Sequence, residues 1–69
     1  MDIKWVDGAS IKVRRDGDAV VIAANREGLL SLAVQMIELA KEAQKGHYHL
    51  DEFNGLEEHS LELIVERID

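Results

Sequence analysis

Cysteine, proline and threonine are absent from this 69-residue sequence. Without cysteine, neither disulfides nor thiolate-bound metals can supplement the core. No apolar run approaches the roughly 18 residues of a membrane span. The start, Met1-Asp2-Ile3-Lys4-Trp5, has no basic region followed by an apolar stretch, so no secretory leader and a cytoplasmic location are expected. Catalytic signatures are equally scarce. The serines are Ser10, Ser31 and Ser60, and none sits in a Gly-x-Ser-x-Gly elbow. A Gly-rich phosphate loop and a dinucleotide fingerprint are both missing. Positive charge is in short supply too, with 8 basic residues against 14 acidic ones and a net charge of −6. That balance argues against nucleic acid and anionic membranes as partners.

What is present fits one small domain spanning residues 1–69. A chain of this length buries only about 61% of its unfolded surface. One thin core is affordable, and an enclosed active site with support behind it is not. No enzymatic activity and no cofactor are expected. The charge is also unevenly placed. Residues 1–45 carry seven acidic and seven basic side chains, which cancel. Residues 46–69 carry Asp51, Glu52, Glu57, Glu58, Glu62, Glu66 and Asp69 against Arg67 alone, so the whole net charge lies there. Such a segment is either a solvated acidic surface or a patch that attracts a basic partner.

Asp7-Gly8 and Asp16-Gly17 separate three β-rich stretches, Ile3–Val6, Ser10–Arg14 and Ala19–Ala23. Asp-Gly tolerates the positive φ of tight turns, so a three-strand meander is predicted. The period then changes to that of a helix over residues 26–44. Asn25 is placed to cap it and Glu27 to complement its dipole. Leu29, Leu30, Leu32, Ala33, Met36, Ile37, Leu39, Ala40 and Ala43 fall in one half of the wheel. Ser31, Gln35, Glu38, Glu42 and Lys45 fall in the other half. Gly28 would permit close contact with a strand, and Gly46 would supply a left-handed residue past the helix end. Residues 47–51 and 60–67 alternate as strands around a polar loop, Glu52–His59. The predicted fold is α+β, with one helix on one face of a four- to five-stranded antiparallel sheet, in the order βββ-α-ββ. Leu61, Leu63, Val65, Val20, Ile22, Ile11 and Val13 would face the helix. Val21, Ile64 and Val6 or Trp5 would lie on the open face, where they invite a homodimer, as would an edge strand.

His47, His49 and Asp51 leave one strand face in a row, with Glu52 and His59 near enough to join them. That row is either three ligands for a divalent ion or a polar outer surface. The second reading is the expectation, with no bound metal.

The segments Gly28-Leu29-Leu30-Ser31-Leu32-Ala33, His49-Leu50-Asp51, Asn54-Gly55-Leu56-Glu57 and Ser60-Leu61-Glu62-Leu63-Ile64 together resemble a family of small predicted immunity proteins of bacterial polymorphic toxin systems. The resemblance covers residues 26–68, with Val34 and His59 as local departures. It implies that the chain binds a cognate protein toxin and blocks it. An acidic protein suits a toxin with a basic surface, since opposite charge steers association. Asp51, Glu52, Asn54, Glu57 and Glu58 are the expected partner-binding residues, on one loop and its entry strand. Asp51 and Asn54 have a second reading, as residues that shape the turn through side-chain-to-backbone hydrogen bonds. A small homodimeric scaffold or regulatory domain is the alternative function.

Overall fold

The fold is that of a computed structural model, which describes residues 5–42 and 46–69. Strands β1 (Ile11–Asp16) and β2 (Ala19–Ala24) form an antiparallel hairpin. Helix α1 (Arg26–Lys41) follows at once, and then β3 (His47–Leu50) and β4 (Leu63–Glu66) pair antiparallel. The class is α+β, as the periodicities predicted. The sheet is not the expected single one, because the strands form two sheets of two. Of the predicted first strand, Ile3 and Lys4 lie outside the described residues, and Trp5 and Val6 are not in a strand. Residues 5–8 lead instead into a turn in which the Ala9 N–H donates to the Val6 carbonyl at 3.1 Å.

The division of the sheet has a local cause. Residues 57–61 run beside β1 in the same direction, and the Glu57 and Leu61 N–H groups donate to the Ile11 and Val13 carbonyls, each at 2.8 Å. Four residue steps on this side therefore match two on β1. The excess is taken up by a turn, where the Ser60 N–H donates to the Glu57 carbonyl and His59 adopts φ 66°. The Val13 N–H then meets the Ser60 hydroxyl instead of a carbonyl. A regular ladder cannot form across such a bulge, so β4 starts at Leu63 and not at residue 60. Leu61, expected under the helix, is exposed.

Helix α1 has the predicted start. The Asn25 side chain accepts from the Gly28 N–H at 2.7 Å and from the Ser10 N–H at 3.0 Å, and its amide donates to the Gly8 carbonyl. The chain leaves the helix at Glu42, which is extended, before the expected end at residue 44; residues 43–45 lie outside the described residues. The buried stripe differs from the apolar half-wheel. It comprises Gly28, Ser31, Leu32, Gln35 and Leu39, a rotation of roughly 100° from the apolar centre. Gly28 dictates this. A Cβ built there would lie 2.6 Å from the Ser10 carbonyl oxygen and 2.9 Å from Ile11 Cγ1. The helix therefore presents its bare meridian to the start of β1. Ser31, expected on the polar half, is buried because its hydroxyl accepts from the Val6 N–H and donates to the Glu27 carbonyl, both at 2.8 Å. Gln35 is buried as well and is not without a partner.

The core is Ile11, Val13, Leu32, Leu39, Tyr48, Leu50 and Leu56, with Ala24, Leu63 and Val65 packed against it. Val20 and Ile22 share the inward face of the hairpin but lie beyond the cover of the helix and are exposed. Met36, Leu29, Leu30 and Ile37, predicted as core, are exposed too. Arg67 closes the far end. Its guanidinium donates to the Ala40 and Glu42 carbonyls, at 3.3 and 2.7 Å, which caps the helix from beyond β4.

Two stability measurements follow from this packing. Leu32→Ala should cost about 2–5 kcal/mol, while Met36→Ala should cost well under half of that, in urea titrations of both. Gly28→Ala should destabilise by about 1–3 kcal/mol despite the better helix propensity of alanine, because the new methyl meets backbone. Tyr48 yields a pH prediction. Its hydroxyl is buried and finds no hydrogen-bond partner among the described residues, and burial raises its pKa above the ordinary 10.0. A raised folded-state pKa means that the contribution is complete below pH 10.0 and is lost as pH climbs towards the folded value. Tyr48→Phe should be neutral or mildly stabilising at neutral pH and should remove this alkaline loss, read from thermal melts across the alkaline range.

Candidate functional site

The loop after β3 is built on Leu50 and Leu56, two buried leucines that pin its ends to the core. Between them the backbone folds back on itself. The Asn54 and Leu56 N–H groups both donate to the Asp51 carbonyl at 3.0 Å. Asp51 Oδ1 accepts from the Phe53 N–H at 2.9 Å, an Asx turn, and the Asn54 amide donates to the His49 carbonyl at 3.2 Å. Gly55 adopts φ 95°, with the Trp5 ring packed so closely that an added Cβ would fall 2.2 Å from it. Only glycine fits there on both counts.

The second half of the loop is tied down by side chains. Glu52 Oε2 accepts from the His59 N–H at 2.9 Å, which supports the left-handed His59 backbone. The Ser10 hydroxyl donates to Glu57 Oε1 at 2.8 Å. The Lys12 ammonium donates to the Glu58 carbonyl, not to its carboxylate. The loop is thus ordered before any partner arrives.

The expected site residues, Asp51, Glu52, Asn54, Glu57 and Glu58, therefore lie on one continuous loop, but with unequal freedom. Asp51 and Asn54 shape the turn through their side chains, which was the second of their two readings. Glu52 and Glu57 each use one carboxylate oxygen internally and keep the other outward. Among the described residues, no Lys or Arg forms a salt bridge with any of the four carboxylates of this group. Arg67, the one cation of residues 46–69, is occupied with the helix end and with Asp69. Its hydrogen bond to Asp69 holds that carboxyl below the usual range. Among the described residues, Lys12 is thus the cation that reaches the loop, and it does so at a backbone oxygen.

Phe53 stands out from the polar pattern of the Glu52–His59 loop. It sits at the loop tip, 91% exposed, between Glu52 and Asn54. The available signal was a large apolar residue, the sole Phe of the chain, inside a run treated as uniformly polar. Beside the tip, Trp5–Ala9 and Gly55 line a shallow groove of about 270 Å³.

The histidine row takes a different arrangement. The His47 and His49 rings stack with centroids 6.1 Å apart, and His49 Nδ1 lies 3.5 Å from Glu62 Oε2. The Asp51 carboxylate turns away into its own turn. Among the described residues, no group of three His, Asp or Glu side chains is gathered for a metal ion, and no helix is long and apolar enough to cross a membrane.

Comparison with known protein families gives a match over most of the chain. Residues 19–68 fit the profile of the family described as Immunity protein 32. No curated protein and no solved structure matches the chain significantly.

The unequal roles within the loop are measurable. Asp51→Ala and Asn54→Ala should each cost about 1 kcal/mol of stability through their lost backbone partners. Glu58→Gln should stay within about 0.5 kcal/mol of the parent protein. Equal effects at all three positions in urea titrations would contradict the assignment.

Proposed function

The chain belongs to the Immunity protein 32 family, and from that premise we propose that it neutralises a cognate protein toxin by binding it through the loop Asp51–Glu58. The family match over residues 19–68 carries this reading, and the geometry of the loop supports it. A pre-ordered turn loses little conformational freedom on binding. Uncancelled carboxylates at Glu52, Glu57 and Glu58 steer a basic surface towards the loop. Phe53 then supplies what charge alone does not, an aromatic anchor for an apolar recess in that surface. The mode is stoichiometric occupation of the toxin in the cytoplasm, without catalysis and without a cofactor.

The test is rescue of growth by co-expression with the toxin encoded beside the gene. Phe53→Ala should lower affinity by about 2 kcal/mol or more and abolish rescue at low expression. Glu57→Gln with Glu58→Gln should slow association and flatten its salt dependence while leaving dissociation nearly unchanged. Full rescue by a stably folded Phe53→Ala, Glu57→Gln, Glu58→Gln variant would move the binding surface elsewhere. Failure of the parent protein to rescue would leave the scaffold alternative ahead.

A further inference from the structure

The apolar face of α1 is the largest feature that the toxin reading leaves unused. Leu29, Leu30, Met36 and Ile37 are 55%, 42%, 45% and 56% exposed, and Ala33 and Ala40 between them are exposed as well. The outer surface of the sheets offers nothing comparable. There Ile64 stands among His47, His49 and Glu66, and Val21 is half-buried opposite Arg14. A contiguous apolar stripe on a helix with no neighbour over it among the described residues marks an interface.

We propose that this face pairs two copies of the chain as an antiparallel helix dimer. The spacing Leu29, Ala33, Met36, Ala40 is 4-3-4, the seam of a two-stranded helical packing. Along it, large and small side chains alternate. A two-fold axis between antiparallel helices sets Leu29 of one copy over Ala40 of the other, and Met36 over Ala33. Every large residue then meets a small one, and the operation is its own inverse, as an isologous contact requires. Parallel pairing would stack leucine on leucine and alanine on alanine. Leu30 and Ile37 of the two copies meet along one flank of the seam. On the other flank, a groove of about 380 Å³ between α1 and β4, bordered by Met36, Leu39, Ala40 and Val65 and also by Glu66, Arg67 and Asp69, leaves room beside Ala40 for the incoming Leu29.

Area and charge both bear on the strength of the pair. A helix of 16 residues is roughly 24 Å long, so a contact made by this helix alone is small beside the roughly 1,200–2,000 Å² buried in stable complexes. The dimer is accordingly concentration-dependent. The net charge of −6 lies in residues 46–69, and Glu66 and Asp69 of that segment border the groove beside the seam, so two acidic copies repel as they meet. That repulsion, and the approach of Arg26 of one copy to Lys41 of the other, are screened by salt. Self-association therefore tightens as salt is added, opposite to the behaviour of a contact made by the acidic loop.

Sedimentation velocity of the full chain, from low micromolar to millimolar and at low and high salt, reads this directly. The mass should rise from monomer towards dimer with concentration, and further at high salt. Ala33→Glu should weaken the dimer by roughly tenfold or more. Its dilute-solution melt should not change, because the position is exposed. Ile37→Lys serves as a second variant with the same expectation, and Ile64→Lys should leave the dimer intact. Orientation is tested by cross-linking, since the chain has no cysteine of its own. An oxidised mixture of Ala33→Cys and Met36→Cys proteins should form mainly the mixed disulfide. A monomer throughout the range, or a dimer lost in Ile64→Lys but not in Ala33→Glu or Ile37→Lys, would overturn the proposal. Self-linked Ala33→Cys in excess of the mixed species would overturn its antiparallel form.

Discussion

The close approach of α1 to the start of β1, at Gly28, is the constraint on which the rest of the molecule hangs. With no side chain at that position, the helix backbone settles against the Ser10 carbonyl and the Ile11 side chain. The Asn25 carboxamide locks the same junction from three sides, joining the helix N-terminus, Ser10 and Gly8. One fixed point and one fixed cap determine the rotation of a helix. Here the result turns Leu32 and Leu39 inward together with Ser31 and Gln35, and turns four large apolar residues out.

Ile11 passes the consequence on. Its side chain is fully buried beneath the junction, and its carbonyl accepts the Glu57 N–H on the other side of β1. The acidic loop is therefore fastened to the same strand that positions the helix. Because the 57–61 segment bulges against β1, Ser60 and the left-handed His59 interrupt what would have been one sheet. The interruption has a use. It makes the return path from the loop compact and rigid, and it leaves Glu52, Phe53 and Glu58 projecting from a supported base.

Charge is divided along the same lines. Arg67 is drawn to the helix end by two carbonyls and to Asp69 by a carboxylate, so it does not neutralise the loop. Lys12 reaches the loop at a backbone oxygen and forms no salt bridge with its carboxylates among the described residues. On the two proposals made above, the chain presents two unlike surfaces: an acidic, aromatic-tipped loop for a basic protein, and an apolar helix face for its own copy. Opposite responses to salt separate the two, since screening weakens the first kind of contact and relieves repulsion in the second.

Local rules written in the sequence determined the types of the elements from β1 to β4, the Asn25 cap, the room for a close approach at Gly28, the concentration of negative charge after residue 45, and the family resemblance matched over residues 19–68. Each depends on neighbours within a few positions or on simple counting, and periodicity, capping and charge are properties of that kind. The rotation of the helix, the splitting of the sheet and the exposure of Phe53 were decided only in three dimensions. A hydrophobic wheel reports which half of a helix is more apolar, whereas burial depends on where the helix touches, and that was set by a backbone contact at Gly28. Alternation over residues 60–67 reports strand propensity, whereas pairing depends on register, and the surplus residues beside β1 spoiled it. A lone aromatic in a polar run is silent about direction, because only the hydrogen bonds of Asp51, Asn54 and Glu52 turn that loop so that Phe53 points into solvent.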